Sequence, residues 1–155
     1  MKLRIAFPII ATMLGSFASA SALELPVQKP GLWQTTMKGE KIPGGSRSYS
    51  TCLDAASLAE AKASADAHLK NDCSKNDVRK EGGTWIAEST CTFSGTHIVG
   101  RTETTFSGDD AFHTEVTSIS DSPKHGKTTS VMSIDSKFLG ACGAGQKAGV
   151  PQAER

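Results

Sequence analysis

The stretch that decides the fold is residues 97–116, which read HIVGRTETTFSGDDAFHTEV. Polar and apolar residues alternate on both sides of the segment SGDD at 107–110, a pattern typical of two antiparallel strands joined by a turn. A turn centred near Asp109 sets three pairs of residues opposite one another: Phe106 with Phe112, Thr104 with Thr114, and Thr102 with Val116. One face of the hairpin is then apolar or hydroxylic, which fixes its register.

The same period-two pattern extends along most of the remaining chain. It predicts strands over residues 32–37, 46–53, 77–81, 84–91, 97–106, 112–116 and 127–139. This is a mainly β (α+β) fold, an antiparallel meander of about seven strands that forms a curved sheet or partial barrel. The last strand is expected to place Val131 opposite Val116, with Ser133 on the inner face.

A single helix is predicted after the second strand. Residues 54–70 are rich in alanine, and Asp54 is placed to cap the first amides. Leu58, Ala61, Ala65 and Leu69 recur in steps of three and four. This narrow stripe predicts a helix laid against the open side of the sheet, with the stripe buried in the core.

The first residues have the pattern of an export signal. Lys2 and Arg4 lead into the apolar run 5–17, and the small residues 18–22, ASASA, follow it. The apolar run is shorter than the roughly 20 residues that a membrane-spanning helix requires. We therefore predict a bacterial signal peptide over residues 1–22, a single periplasmic or secreted domain over 23–142, and a disordered tail over 143–155.

The charge of the chain argues against a nucleic-acid partner. The 155 residues contain 17 Lys and Arg and 16 Asp and Glu, and removal of residues 1–22 takes away two basic residues and no acidic one. Basic residues are dispersed and the mature chain is nearly neutral, so it offers no electrostatic footprint for phosphates. No later apolar stretch is long enough to predict a membrane span in the mature form.

Four cysteines, Cys52, Cys73, Cys91 and Cys142, predict two disulfides rather than a metal site. An exported chain with an even number of cysteines is normally disulfide-bonded, and zinc ligands are usually more closely spaced.

Geometry favours one of the three possible pairings. A straight helix over residues 54–70 is about 25 Å long and separates Cys52 from Cys73. A hairpin with a three-residue loop centred on Gly82 sets Cys73 opposite Cys91, which leaves Cys52 to pair with Cys142. The alternative, Cys52 with Cys73 and Cys91 with Cys142, requires the helix to end early, near residue 65.

Catalytic motifs are missing from the sequence. No G-x-S-x-G, S-x-x-K, dinucleotide-binding or phosphate-binding pattern occurs, so we expect no cofactor. His68, His97, His113 and His125 are too scattered to predict a metal site. The hairpin register does set Glu103 opposite Glu115, a pair that acid/base hydrolysis could use. The same face carries Arg101, Thr105, His113 and Thr117, which favours an ordinary solvated surface.

Ligand binding is the stronger prospect. Gly100, Thr102, Thr104, Thr114 and Ser133 lie on the predicted inner face beside few large apolar side chains. Such a face would suit an incompletely filled, partly hydroxylic cavity inside a curved sheet. The interpretation that we favour over this cavity is that Trp33, Trp85 and the helix stripe fill the space.

Three short segments carry a family resemblance. They are Pro30-Gly31-Leu32-Trp33, Thr51-Cys52-Leu53-Asp54 and Leu139-Gly140-Ala141-Cys142. With the four ordered cysteines, they make the chain resemble a bacterial family of exported proteins, domain of unknown function 3617, over residues 23–149. Gln34 stands where the family commonly has an acidic residue. The resemblance implies export and the cysteine framework, and it implies no site residue.

The leading functional hypothesis is therefore a non-enzymatic binding or interaction module that is stabilised by two disulfides. Its partner is an unknown small molecule or envelope protein. The other hypotheses are a hydrolase using Glu103 and Glu115, and a purely structural envelope protein.

Overall fold

The computed structural model describes residues 26–153 of the chain. The predicted signal peptide, residues 1–22, lies outside the described residues. The elements are β1 (Gly31–Gly39), β2 (Ser46–Leu53), α1 (Ala55–Asp72), β3 (Cys73–Glu81), β4 (Thr84–Phe93), β5 (Thr96–Ser107), β6 (Ala111–Ser122), β7 (Gly126–Gly140) and β8 (Pro151–Ala153). The prediction of a mainly β fold with a helix after the second strand is confirmed.

All eight strands belong to one antiparallel sheet, in the order β3-β4-β5-β6-β7-β1-β2-β8. Within residues 26–153, the end strands β3 and β8 do not pair with each other, so the sheet is open. The eighth strand lies in the segment expected to be disordered. There Pro151 pairs with Thr51 of β2, and the Gly149 amide donates a 2.8 Å hydrogen bond to the Cys52 carbonyl.

The central hairpin has the register read from the sequence. Thr104 pairs with Thr114 and Phe106 with Phe112 across β5 and β6. The pairing predicted for the following strand is wrong by one residue, because Val116 lies opposite Met132 rather than Val131.

The cause of this shift is the turn between β6 and β7. Ser122 pairs with Gly126 across a three-residue loop. The pairing predicted from the sequence required a loop with an even number of residues. Side chains alternate between faces, so a shift of one residue moves Val131 and Ser133 to the opposite face. Val131 is accordingly 60% exposed.

The two faces of the sheet differ in what covers them. We call the face that carries Trp33, Thr104 and Thr114 the helix face, because α1 lies over it. The outer face carries Ile86, Glu103 and Glu115.

A capping box starts the helix. The Asp54 carboxylate accepts a 2.7 Å hydrogen bond from the Ser57 amide, and the Ser57 hydroxyl accepts one of 3.0 Å from the Asp54 amide. The Ser57 amide stabilises the charged carboxylate, which lowers the pKa of Asp54.

Within residues 26–153, the structure contains no helix that combines the length and the apolar character of a membrane-spanning segment.

The helix spans most of the width of the sheet. It links β2 to β3, and five strands lie between these two in the sheet. Its 18 residues extend about 27 Å, against roughly 29 Å for six strand spacings in a flat sheet. A helix with these attachments must cross the helix face rather than pack along one strand.

Two disulfides anchor the two ends of α1. Cys52, bonded to Cys142, lies two residues before the N-cap, and Cys73, bonded to Cys91, directly follows the last helical residue. This is the pairing favoured by the sequence-based geometry. The β3–β4 turn has two residues instead of three, and an irregularity at Ser74 restores the opposition of Cys73 and Cys91.

Aromatic rings close the helix face beside β1. The side chain of Trp33 is 2% exposed, and its ring centroid lies 5.5 Å from that of Phe138 and 6.0 Å from that of Phe112. Gly31 has φ +144°, and a Cβ there would lie 2.3 Å from the Phe138 ring and 2.5 Å from the Gly140 carbonyl oxygen. Only glycine fits this position. We call Trp33, Phe112 and Phe138 the aromatic end.

Candidate ligand-binding cleft

A cleft of about 790 Å³ lies between α1 and the helix face. Its walls are the helix, strands β3, β5 and β6, and residues 26–28 ahead of β1. Its lining is mostly apolar, and its volume falls within the range of small-molecule sites.

The helix stripe forms one wall of this cleft instead of the core, so the prediction of a buried stripe is wrong. No residue of α1 is buried. Leu58 and Leu69 are half-buried, and Ala61 and Ala65 are exposed. The reason is side-chain size: alanine ends at Cβ, so a helix held at both ends above the sheet cannot fill the space beneath it.

The floor of the cleft combines hydroxyls with aromatic rings. Thr104 and Thr114 are each 7% exposed, and their Oγ1 atoms lie 3.0 Å apart. Beside them, the ring centroids of Phe106 and Phe112 lie 5.8 Å apart. Phe112 also contacts Trp33, so this ring belongs both to the floor of the cleft and to the aromatic end.

The segment that precedes β1 forms the third wall. Pro26, Val27 and Gln28 line the cleft, and Val27 is 66% exposed. The next residue, Lys29, is held in three ways. Its ammonium pairs with Asp110 and lies 4.2 Å from the Phe138 ring centroid, and its carbonyl accepts a 2.9 Å hydrogen bond from the Trp33 indole.

Only part of the predicted cavity lining reaches the cleft. Thr104 and Thr114 line it, whereas Thr102 does not. Ser133 lies on the outer face, opposite Glu115, because of the β6–β7 register. Gly100 lines a separate recess of about 300 Å³ that includes Glu88 and Arg101 of the outer face.

The tryptophans do not fill the cleft. Trp33 belongs to the aromatic end, and Trp85 lies 5.2 Å from the Lys80 ammonium, measured to its ring centroid. The favoured interpretation, in which Trp33, Trp85 and the helix stripe fill the cavity, is therefore wrong.

An alternating charge network covers the outer face. Glu88 accepts hydrogen bonds from Arg101 at 2.6 Å and Arg79 at 3.3 Å. These bonds lower the pKa of Glu88, and the carboxylates around the two arginines raise the pKa of each guanidinium. Ile86 is 3% exposed and lies in register between Arg79 and Glu103. The aliphatic parts of these two charged side chains therefore shield it from solvent.

The carboxylate pair proposed for hydrolysis lies on this face. Glu103 and Glu115 are directly opposite, as the register predicted. Their side chains are 42% and 67% exposed, and Glu103 accepts a 2.7 Å hydrogen bond from Arg101. Neither lines the cleft. A catalytic acid/base pair must lie within hydrogen-bond reach of a bound substrate, so this exposed pair outside the cleft does not support the hydrolase hypothesis.

The histidines remain dispersed in three dimensions. His113 lies 2.6 Å from Asp135, whose carboxylate raises the pKa of the imidazole. His68 pairs with Asp72 and His97 with Thr92, while His125 lies in the β6–β7 loop. Across residues 26–153, no group of three or more His, Cys, Asp or Glu side chains is arranged to hold a metal ion.

Comparison with known proteins identifies the family. Residues 28–142 match the family described as Protein of unknown function (DUF3617). The chain belongs to this family. The resemblance drawn from the sequence is thereby confirmed, and the matched range extends from the wall segment before β1 to the last cysteine. No curated protein and no solved structure matches the chain.

Sequence reasoning missed several lining residues. Val27, Val78, Phe106 and Phe112 line the cleft, whereas the sequence pattern predicts Phe106 and Phe112 only as a cross-strand pair. A signal was present in the helix, because seven of its 18 residues are alanines, including Ala61 and Ala65 of the stripe, and alanine is too small to fill a core.

Proposed function

We propose that this protein is an exported, non-enzymatic binding module that holds an apolar small molecule in the cleft beneath α1. The observation that carries the proposal is the apolar stripe of the helix, which faces a floor of aromatic rings and threonine side chains across a space of about 790 Å³. Each Å² of apolar surface removed from water contributes about 25 cal/mol to binding, which is offset by the entropic cost of association. A ligand that fills the cleft therefore buries apolar surface of the helix and of the sheet that folding alone leaves exposed.

The anchoring of the helix supports this proposal. An unanchored amphipathic helix would move toward the sheet until its leucines were buried. Here the disulfides at Cys52 and Cys73 tie both helix ends to strands on opposite sides of the sheet. The site is thus largely formed before the ligand binds, which lowers the entropic cost of binding.

Dye binding tests the proposal directly. N-phenyl-1-naphthylamine, an uncharged apolar dye, is expected to increase its fluorescence with the wild-type protein. Ala65 lines the cleft and Ala67 lies on the opposite side of the same helix. Ala65→Trp should abolish the increase by filling the cleft, whereas Ala67→Trp, the matched control, should leave it unchanged. Equal binding by both variants, or none by the wild type, would refute the proposal in favour of a structural role.

Export is a separate part of the proposal. Disulfides form and persist in oxidising compartments, and the two disulfides support export in that way. Intact mass of protein recovered from the periplasm should correspond to a chain that begins at Leu23 or Ser21. Recovery of the full-length chain from the membrane fraction would contradict cleavage.

A further inference from the structure

Of the two threonine hydroxyl hydrogens on the floor of the cleft, one forms no hydrogen bond within the described residues. Thr104 and Thr114 share a single hydrogen bond, with their Oγ1 atoms 3.0 Å apart. Each hydroxyl carries one hydrogen, so the shared bond uses one of the two. Among the described residues, neither hydroxyl has another hydrogen-bond partner. With both residues 7% exposed, the remaining O–H is a buried donor at a surface that lines the cleft.

The charged residues that line the cleft already have counterions. Lys62 and Asp66 are 2.8 Å apart on the helix, and Asp77 lies 3.4 Å from Arg79. Burying a charge without a partner is costly, and this lining offers no uncompensated charge to a ligand. A charged group of a ligand would therefore have to remain in solvent at the rim.

Apolar side chains extend beyond the threonine pair along the cleft. Phe106 and Phe112 lie on one side of it in β5 and β6, and Val78 lies toward the far edge in β3. The apolar stripe above runs from Leu58 to Leu69, about 17 Å at 1.5 Å per residue. The space is thus elongated, with one buried hydroxyl donor in its floor, while the amide side chains of the lining, Gln28 and the exposed Asn76, lie in other walls of the cleft.

On the basis of the proposed function, we propose that the ligand is an elongated neutral molecule whose apolar chain carries one uncharged oxygen acceptor. An ester carbonyl, a ketone or a hydroxyl has this chemistry. The ligand oxygen accepts a hydrogen bond from the hydroxyl hydrogen that Thr104 and Thr114 do not share. The apolar chain of the ligand packs on Phe106 and Phe112. A hydrogen-bond donor on the floor of a mostly apolar cleft favours ligands that carry an acceptor over ligands of the same shape that lack one.

Displacement of N-phenyl-1-naphthylamine by four probes of equal chain length tests this assignment. The probes are dodecane and methyl dodecanoate, both below their solubility limits, and dodecanoate and dodecylammonium, both below their critical micelle concentrations. With the wild-type protein, the methyl ester should displace the dye at a concentration roughly three- to tenfold lower than dodecane, the value of one net hydrogen bond. The two charged probes should be weaker than the ester.

Variants of the floor locate the effect. Thr104→Val with Thr114→Val removes both hydroxyls at constant shape, and the ester should lose its advantage over dodecane. Thr104→Ser with Thr114→Ser retains both hydroxyls and should keep that advantage. Thr102→Val, on the same face but outside the cleft, is the matched control. Thermal melts establish that each variant is folded.

The outcomes separate the two proposals. Absence of dye binding by the wild type would overturn the cleft as a site, and this assignment with it. Dye binding with no preference for the ester, a preference that survives loss of both hydroxyls, or stronger displacement by dodecanoate would overturn the neutral acceptor alone and leave the binding module standing.

Discussion

The aromatic end and the cleft occupy the same face of one sheet, yet the first is more tightly packed than the second. At the aromatic end, Trp33 is 2% exposed and packs against the rings of Phe112 and Phe138, and the recess beside it is about 290 Å³ against about 790 Å³ for the cleft. Above the cleft, the helix presents alanines, and none of its residues is buried. The difference shows that side-chain volume, not the pattern of apolar positions, decides which part of this face becomes core.

The two regions are also held differently. The aromatic end depends on ring packing and on the close approach of Gly31 to Phe138. Helix α1 forms the roof of the cleft. It is held in place by the disulfides at Cys52 and Cys73, because α1 contributes little buried surface. We expect the first region to account for most of the non-covalent stability and the second for binding.

The largest effect is expected from the disulfides that anchor the roof. Loss of Cys52–Cys142, which closes a 90-residue separation, should destabilise the fold by about 4–5 kcal/mol, and loss of Cys73–Cys91, with a separation of 18, by about 3 kcal/mol. Paired Cys→Ser variants compared by urea denaturation would measure both. An unchanged melting temperature in dithiothreitol would show that the roof does not need its anchors.

The aromatic end should show the largest effect of a single substitution. Trp33→Ala removes a buried ring and should cost about 3–5 kcal/mol in free energy of unfolding. Trp85→Ala is the matched control, because Trp85 is only half-buried and packs under Lys80. Similar losses in both variants would remove the contrast between a tightly packed end and the rest of the sheet.

Substitutions of the cleft leucines should affect ligand binding more than stability, in contrast to Trp33→Ala. Leu58→Ala and Leu69→Ala should each cost less than about 1 kcal/mol, because both side chains are only half-buried in the unliganded protein. The same substitutions should weaken binding of N-phenyl-1-naphthylamine. A loss of several kcal/mol in stability without any change in dye binding would identify the stripe as core after all.

The smallest effect concerns pH and lies on the outer face. Asp135 raises the pKa of His113 above its ordinary value of 6.5, so the protonated imidazole favours the folded state. This contribution is complete below pH 6.5 and is lost as pH rises through the raised pKa. His113→Gln should remove that part of the pH dependence of unfolding, while His125→Gln, in the β6–β7 loop, should not. Both groups of the His113–Asp135 pair are about half exposed, so the change will be small.

Local patterns were sufficient for much of the fold. The hairpin at residues 97–116 was predictable because a short turn and strict alternation leave one register that keeps Phe106 and Phe112 on the same face. The helix was predictable from its cap at Asp54. The β6–β7 register was not, because loops of even and odd length both suit the segment DSPKHG at 121–126.

The cleft could be predicted only in part. Thr104 and Thr114 were recognised as hydroxyls on an inner face with few large side chains. Their partners above, Leu58 and Leu69, were assigned to the core, since apolar periodicity indicates which side of a helix faces the sheet but not how far away it lies. The strand β8 escaped prediction because its pairing with Thr51 depends on a distant part of the chain.

What the sequence by itself determined is the set of local choices: where strands alternate, where the helix begins, and which cysteines face each other once a helix separates Cys52 from Cys73. What only the tertiary structure decided is the space between α1 and the sheet. That space exists because the helix nearly matches the width of the sheet, is bonded to it at both ends, and carries side chains too short to reach the floor. Distances of this kind depend on the positions of whole elements, which no local pattern records.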